Sequence, residues 1–297
     1  MFLLACAARI VMYAGAPIHL RWELYPVPHE EPGRVEHGGS RFEESDSFTK
    51  PIRSHLLGDL KFMIPEILFL KALREFNRKL WFRSFPFHFG LYLLIGTLGL
   101  LMFGAVLSLL APRPAIEAVL RITQFFYTLA GVAGLSLAML GALGLLVRRV
   151  TDEGLKIYTT PGDIFNLLFF IATLGVLAAA CLFKTPAAPG WLAITRGLLT
   201  LDTKLEISGL QATGLFLAAV LIAYIPMTHM SHFIAKYFTY HSVRWDDAPN
   251  PRGGRLERRL AEYLTYRPSW SAAHVGADGS RTWAQIAAGK PAPEAKK

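Results

Sequence analysis

Four stretches of this sequence, residues 86–111, 122–147, 164–183 and 209–230, are apolar for long enough to cross a bilayer, which takes ~20 residues of helix. Lipid offers no water to the backbone, so a crossing segment must satisfy its own N–H and C=O groups as an α-helix. A fifth stretch, FLLACAARIVMYAGAPIHL (2–20), is shorter and contains Arg9. A charge at the bilayer centre costs roughly 2.5–3.5 kcal/mol. A cleaved signal peptide would carry a basic region ahead of its apolar run. That region is missing, so residues 2–20 are read as a short first span. The expected fold is an all-α integral membrane protein, a bundle of five transmembrane helices with an amphipathic interfacial helix and an extended cytoplasmic loop and tail.

The 297-residue chain has 31 Lys+Arg against 22 Asp+Glu, a net charge of +9. Where the cations fall matters more than their number. Residues 17–85 hold 11, 148–163 hold 3 and the segment from 231 holds 11, whereas the alternate connections 112–121 and 184–208 hold 2 and 3. Cytoplasmic connections are the ones enriched in Lys and Arg. The pattern therefore predicts an outside N-terminus, an inside C-terminus and residence in the cytoplasmic (inner) membrane. The basic balance reports topology, and no soluble basic face of the kind that binds nucleic acid is evident.

The organisation follows from these segments. Residues 1–20 are the first span, 21–83 a cytoplasmic loop, 84–241 a four-helix membrane core and 242–297 a cytoplasmic tail. Residues 21–55 are rich in Pro, Gly and charge and read as extended. Over 56–83, apolar residues from Phe62 to Leu80 recur near helical spacing, with Lys71, Arg74, Arg78 and Lys79 interleaved. This predicts an amphipathic interfacial helix, started or kinked by Pro65. Trp81 and Phe82 fall where aromatic rings favour the interface. The segment WLAITRGLLTLD (191–202) is expected on the outer surface. The tail offers one short helix, about 254–266, and too little apolar residue to bury a core alone, so it reads as an arm that orders on a partner.

Two cysteines, Cys6 and Cys181, lie in apolar runs without a CxxC neighbour. No iron–sulfur cluster, zinc ribbon or c-type haem attachment can be built from them. Any iron–sulfur chemistry must come from another subunit. Both read as small buried apolar residues.

The nine histidines are His19, 29, 37, 55, 88, 229, 232, 241 and 274. None lies between His88 and His229, so a haem or metal within the bilayer must be ligated from spans two and five. Span two runs inside to outside with His88 near its start. Span five runs back with His232 near its end. Both fall near the cytoplasmic face. Two imidazoles facing each other across a bundle are the usual axial pair of a b-type haem, which needs their Nε2 atoms about 4 Å apart. His229, three residues earlier and about 60° round an α-helix, is the alternative ligand. Haem propionates would meet Arg74, Arg78, Arg83, Lys236 or Arg244, each of which serves equally as an interface anchor. A zinc-protease helix would need HExxH, and THMSH is not that.

With these residues in place, the chain resembles the gamma (cytochrome b) subunit of respiratory nitrate reductase. More closely, it is similar to the membrane cytochromes that accompany heterodisulfide-reductase-like iron–sulfur subunits in quinol-linked complexes of anaerobes. The family's His-x-Gly appears as His88-Phe89-Gly90, and its Pro followed six residues later by His as Pro226 and His232. The likeness covers roughly 60–245. The segments RWELYPVPHE, LKFMIPEILFLKAL, SFPFHFGLYLL and HSVRWDDAPN carry the second branch. The resemblance implies His88 and His232 as axial ligands of a cytoplasm-side haem b, with His229 near a propionate. It also implies quinone, expected to be menaquinone, as substrate and an iron–sulfur partner on the inner face. The nitrate reductase subunit carries a second, outer haem, whose ligand positions are Leu98 and Gly214 here. Neither can ligate iron, so one haem is expected.

The resulting expectation is an electron-transfer subunit of a quinone-linked oxidoreductase complex. A quinone site needs proton-handling groups near the haem edge, for which Lys61, Glu66 and Lys71 are candidates, or else interface anchors. With no outer haem, moving one charge against 100 mV, about 2.3 kcal/mol, has no relay, so quinone chemistry is expected on the inner half. The rival reading is a non-redox membrane anchor of a multi-subunit complex. A transporter fits less well, because the spans carry almost no charge.

Overall fold

The computed structural model describes residues 1–15, 49, 55–235, 237–238, 252–269 and 277–289, and every regular element among them is helical. In chain order these are α1 (Phe2–Gly15), α2 (Leu56–Phe69), α3 (Lys71–Phe76), α4 (Arg78–Leu110), α5 (Arg113–Thr151), α6 (Glu153–Lys156), α7 (Pro161–Leu182), α8 (Trp191–Thr200) and α9 (Gly209–Tyr224). Two 3₁₀ turns (Ile225–Met227 and His229–Ser231), α10 (Arg255–Tyr263) and α11 (Trp283–Ala288) follow, and residues 232–235 and 237–238 are also helical. The chain divides into two compact units. One comprises Met1–Phe2 and Phe62–Thr228, the other Leu3–Lys61 and His229–Lys297.

Among the described residues, four helices are long and apolar enough to cross a membrane: α4, α5, α7, and α9 with the turn that follows it. They match expected spans two to five. The remaining apolar helix, α1, has 14 residues. At 1.5 Å per residue it is about 21 Å long, short of the ~30 Å hydrocarbon core. Residues 16–20 of the expected first span lie outside the described residues.

In the first unit, α4 and α5 form the most extensive helix pair, and small residues let their backbones touch. A Cβ on Gly90 would lie 2.4 Å from Ala138 N, and one on Gly141 would lie 2.3 Å from Phe87 N. Without a hydrophobic driving force between helices in lipid, such close approach is what holds a pair together. From α7, Phe170 meets Phe87 edge-on at 5.0 Å between ring centroids. Helix α9 packs on α7 through Gly214, whose Cβ would sit 2.9 Å from Leu177 Cδ2. The core is thus Phe87, Ala105, Ala138, Ala142, Phe170 and Leu174. The outer faces leave Ile95, Phe103, Phe125, Val132, Leu140 and Phe216 exposed, as helices solvated by lipid do. Cys181 is among the exposed residues rather than the buried ones expected, since it lies in the last turn of α7 beyond the buried stripe.

Most buried polar side chains described in this unit have a partner, the exception being the Thr173 hydroxyl. Capping boxes open α7 (Thr160 with Asp163) and α9 (Ser208 with Gln211), each satisfying two otherwise orphaned N–H groups. Gln211 is fully buried, and its Nε2 donates to Pro189 O at 2.9 Å. Tyr224 donates its hydroxyl to Asn166 Oδ1 at 2.8 Å, joining α9 to α7. Interhelical bonds in membranes are worth about 0.6 kcal/mol on average and up to about 1.7. Tyr224→Phe is therefore expected to destabilise the purified chain by about 0.6–1.7 kcal/mol, read as a lowered melting temperature in detergent. An unchanged melting temperature would show that the bond contributes nothing.

Helix α8 is the segment expected on the outer surface. It packs on α4, with Ile194 buried and Leu192 Cδ1 only 3.1 Å from where a Cβ on Gly104 would be. The expected continuous helix 56–83 is corrected: it is three pieces. Leu70 takes a left-handed conformation (φ 51°, ψ 52°) and Asn77 an irregular one (φ −148°, ψ 73°), while Pro65 sits inside α2. The apolar periodicity runs through both breaks, so it could not mark them. What permits the corner is capture of its loose backbone groups. Trp81 Nε1 donates to Phe69 O at 2.8 Å and Tyr92 Oη to Ile67 O at 3.0 Å. Glu66 Oε2 accepts from Ala72 N, and Asn77 Oδ1 from Leu80 N.

In the second unit, Tyr13 of α1 lies 3.4 Å (Oη) from Ser231 Oγ, its ring 6.0 Å from Phe238. Arg259 donates to Gly15 O at the end of α1, where a cation suits the helix dipole. The short tail helix expected at about 254–266 is α10, and the described parts of the tail also bond to each other. Gly279 N donates to Pro268 O, Trp283 N to Tyr266 O and Ala284 N to Leu264 O, and Tyr263 and Ala277 are buried. The hydroxyl and N–H of Ser280 both donate to Asp278, which holds that carboxyl below its usual range.

Candidate functional site

His88 sits in the third turn of α4, half-buried. Its Nδ1 lies 2.7 Å from Ser84 O and 3.3 Å from Ser84 Oγ. A carbonyl can only accept, so Nδ1 must carry the ring proton. In the neutral ring Nε2 then keeps its lone pair, the state a metal ligand requires, with the ring orientation fixed by the outer hydrogen bond. The ring also packs edge-on against Phe87 at 5.4 Å, and Phe87 is itself wedged against Phe170. Gly90, two residues on, is where α4 touches α5. The glycine of His88-Phe89-Gly90 therefore has a packing reason independent of any ligand.

His232 and His229 belong to the second unit. Both are exposed, and His232 Nδ1 lies 3.4 Å from His229 O, a longer version of the bond at His88. The 60° offset expected between them does not hold. Helix α9 ends at Tyr224, buried Pro226 starts a 3₁₀ turn, Thr228 is extended, and His229–Ser231 form a second turn. Pro226 removes a backbone donor and cannot continue an α-helix, which explains why the regular pattern fails there.

The remaining candidates have separate surroundings. Arg83 Nη1 donates to Lys79 O at 2.7 Å, and its stem covers Gly144. Lys236 and Arg244 lie outside the described residues. Lys61 is exposed. Glu66 caps α3 through Ala72 N, and Lys71 lies 3.9 Å from Glu75. Leu98 is exposed and Gly214 is packed against Leu177. Among the described residues no group of three or more His, Cys, Asp or Glu could hold a bare metal ion. Two features escaped the sequence reading: the Ser84–His88 pair and the Asn166–Tyr224 bond. A Ser four residues before a His, and a lone Asn in an apolar run, were the available signals.

Fold and site together define, over the described residues, an α-helical protein with four helices fit to cross a membrane and a histidine on one of them held by its own helix's carbonyl. No protein-family model matches the chain, and no curated protein matches it in sequence.

Proposed function

We propose that this chain is the membrane subunit of a quinone-linked electron-transfer complex, a b-type cytochrome with five spans, an outside N-terminus and an inside C-terminus. His88 and His232 are its axial ligands, with His229 and Arg83 toward the propionates. The observation that carries the reading is the short bond from His88 Nδ1 to Ser84 O, which fixes one ring nitrogen and the orientation of the ring. The bond from His232 Nδ1 to His229 O has the same sense. The absence of histidine from residues 89–228 also supports it, since the two spans between offer no imidazole. When bound, a haem b supplies one-electron redox chemistry between the quinone pool and an iron–sulfur partner on the inner face.

The chain's own residues do the positioning. Phe87, wedged between His88 and Phe170, limits rotation of the imidazole. Gly90 and Gly141 hold α4 against α5 at that level, which keeps the ligand on a rigid element. With Leu98 and Gly214 at the outer positions, a single haem is the expectation.

A reduced-minus-oxidised spectrum of the purified full chain, with haem quantified after extraction, tests this. One b-type haem per chain is expected. None would leave the reading of a non-redox anchor, and two would overturn the single-haem assignment.

A further inference from the structure

We propose that the corner between α3 and the first turns of α4 is a binding site for an anionic phospholipid. Its headgroup phosphate lies among Lys71, Arg74, Arg78 and Lys79, and its acyl chains lie beside Phe76 and Phe82. The site is independent of the haem reading and needs only that α4 cross a membrane.

The corner is a built structure. Its shape is fixed by the left-handed Leu70, the Glu66 cap on Ala72 and the Trp81 bond to Phe69 O. Behind it, Trp81 stacks on Phe85 at 4.7 Å and Phe85 on Phe89 at 5.4 Å. Arg74 lies over the Trp81 ring, 5.6 Å from its centroid. Four cations and one carboxylate therefore project from nine residues, 71–79, on a rigid base. All four cations are exposed, and Glu75 reaches only Lys71, at 3.9 Å.

The end of α5 makes the contrast. Arg148 and Arg149 each have their own carboxylate, Asp152 at 3.6 Å and Asp163 at 3.7 Å, which leaves little field for an outside anion. The α3–α4 corner keeps a net charge of three. Beside it, Phe76 is 87% exposed and Phe82 68%, large apolar surfaces directly next to cations. Water suits neither arrangement of rings, and a soluble anion would leave both rings bare. A molecule with an anionic head and apolar tails satisfies both sets at once. The corner also leads straight into the apolar run of α4, at the level where a bilayer places its phosphates. Basic residues so placed favour anionic lipid by about fivefold per charge.

The test uses the full chain purified in mild detergent and stripped of lipid. Retention of phosphatidylglycerol and phosphatidylcholine with identical acyl chains is then compared by native mass spectrometry. Phosphatidylglycerol is expected to bind at least about tenfold more tightly. A variant carrying Lys71→Gln, Arg74→Gln, Arg78→Gln and Lys79→Gln is expected to bind the two lipids within about twofold of each other. A second variant, Arg252→Gln, Arg255→Gln, Arg258→Gln and Arg267→Gln, removes as many exposed cations from the tail and should keep the preference. If the first variant does not fold, raising salt on the natural chain should erase the preference in its place. Equal retention of both lipids by the natural chain would overturn the proposal. So would an equal loss in the tail variant, or displacement of the lipid by glycerol phosphate as readily as by phosphatidylglycerol.

Discussion

His88→Ala is expected to remove the b-type absorbance band, leaving less than about a tenth of the natural haem content. A six-coordinate haem b has no covalent tether to the chain, so each axial imidazole carries a large part of its retention. No histidine in residues 89–228 can stand in. His232→Ala should have the same effect. His229→Ala should leave most of the haem in place and change only its potential. Ser84→Ala is the informative contrast. The acceptor at 2.7 Å from His88 Nδ1 is the Ser84 carbonyl, which alanine keeps, so the haem content should hold. Because an empty site could reflect misfolding, His88→Gly should be reconstituted with added imidazole and haemin. Recovery of the band would assign the loss to the ligand. A full band in His88→Ala would end the ligand assignment whatever the fold does.

Gly141→Ala is expected to destabilise the chain by about 3 kcal/mol, the upper part of the usual range for forcing a methyl into a packed core. The added Cβ would lie 2.3 Å from Phe87 N and 2.6 Å from Phe87 Cα. Those are backbone atoms of the neighbouring helix, so no side-chain rotation relieves the clash and α4 must move off α5. At about 2–4 °C per kcal/mol for a chain of this size, the melting temperature in detergent should fall by roughly 6–12 °C. Gly96→Ala and Gly99→Ala are the controls, since nothing lies within 4 Å of either position. They should gain up to about 1 kcal/mol of helix propensity. Equal effects at 96 and 141 would show that α4 and α5 are not paired as described. Phe87 adjoins His88, so the Gly141 variant should also loosen haem binding if that function holds.

The long helices were legible because lipid imposes a simple rule. A run of about 20 apolar residues has one way to satisfy its backbone, and α4, α5, α7 and α9 follow it. The corners were not legible. Leu70 is an ordinary leucine in an unbroken apolar rhythm, and what turns the chain there is a set of partners, Trp81, Tyr92 and Glu66, whose reach depends on how α4 folds back. The tail's internal bonds were hidden for a related reason. Its composition is poor in apolar residues, but backbone bonds between 264–268 and 279–284 need no apolar pattern. At the candidate site, the sequence named His88 from its place in an apolar helix. The ring's fixed proton came from a main-chain carbonyl, which every residue carries and no sequence advertises. Pro226 was visible, but read as a motif member rather than as the end of the α-helix.

The two longest helices overreach the lipid. With 33 and 39 residues, α4 and α5 extend about 50 and 58 Å against a hydrocarbon thickness of ~30 Å. An ordinary tilt of about 20° absorbs only a few ångströms of that excess. The surplus reaches past the acyl layer, and toward that end the stem of Arg83 on α4 still covers Gly144 on α5. A protein arriving from solution would then land on a raised helical plinth, and strain applied to that plinth would be felt inside the membrane without any loop to damp it.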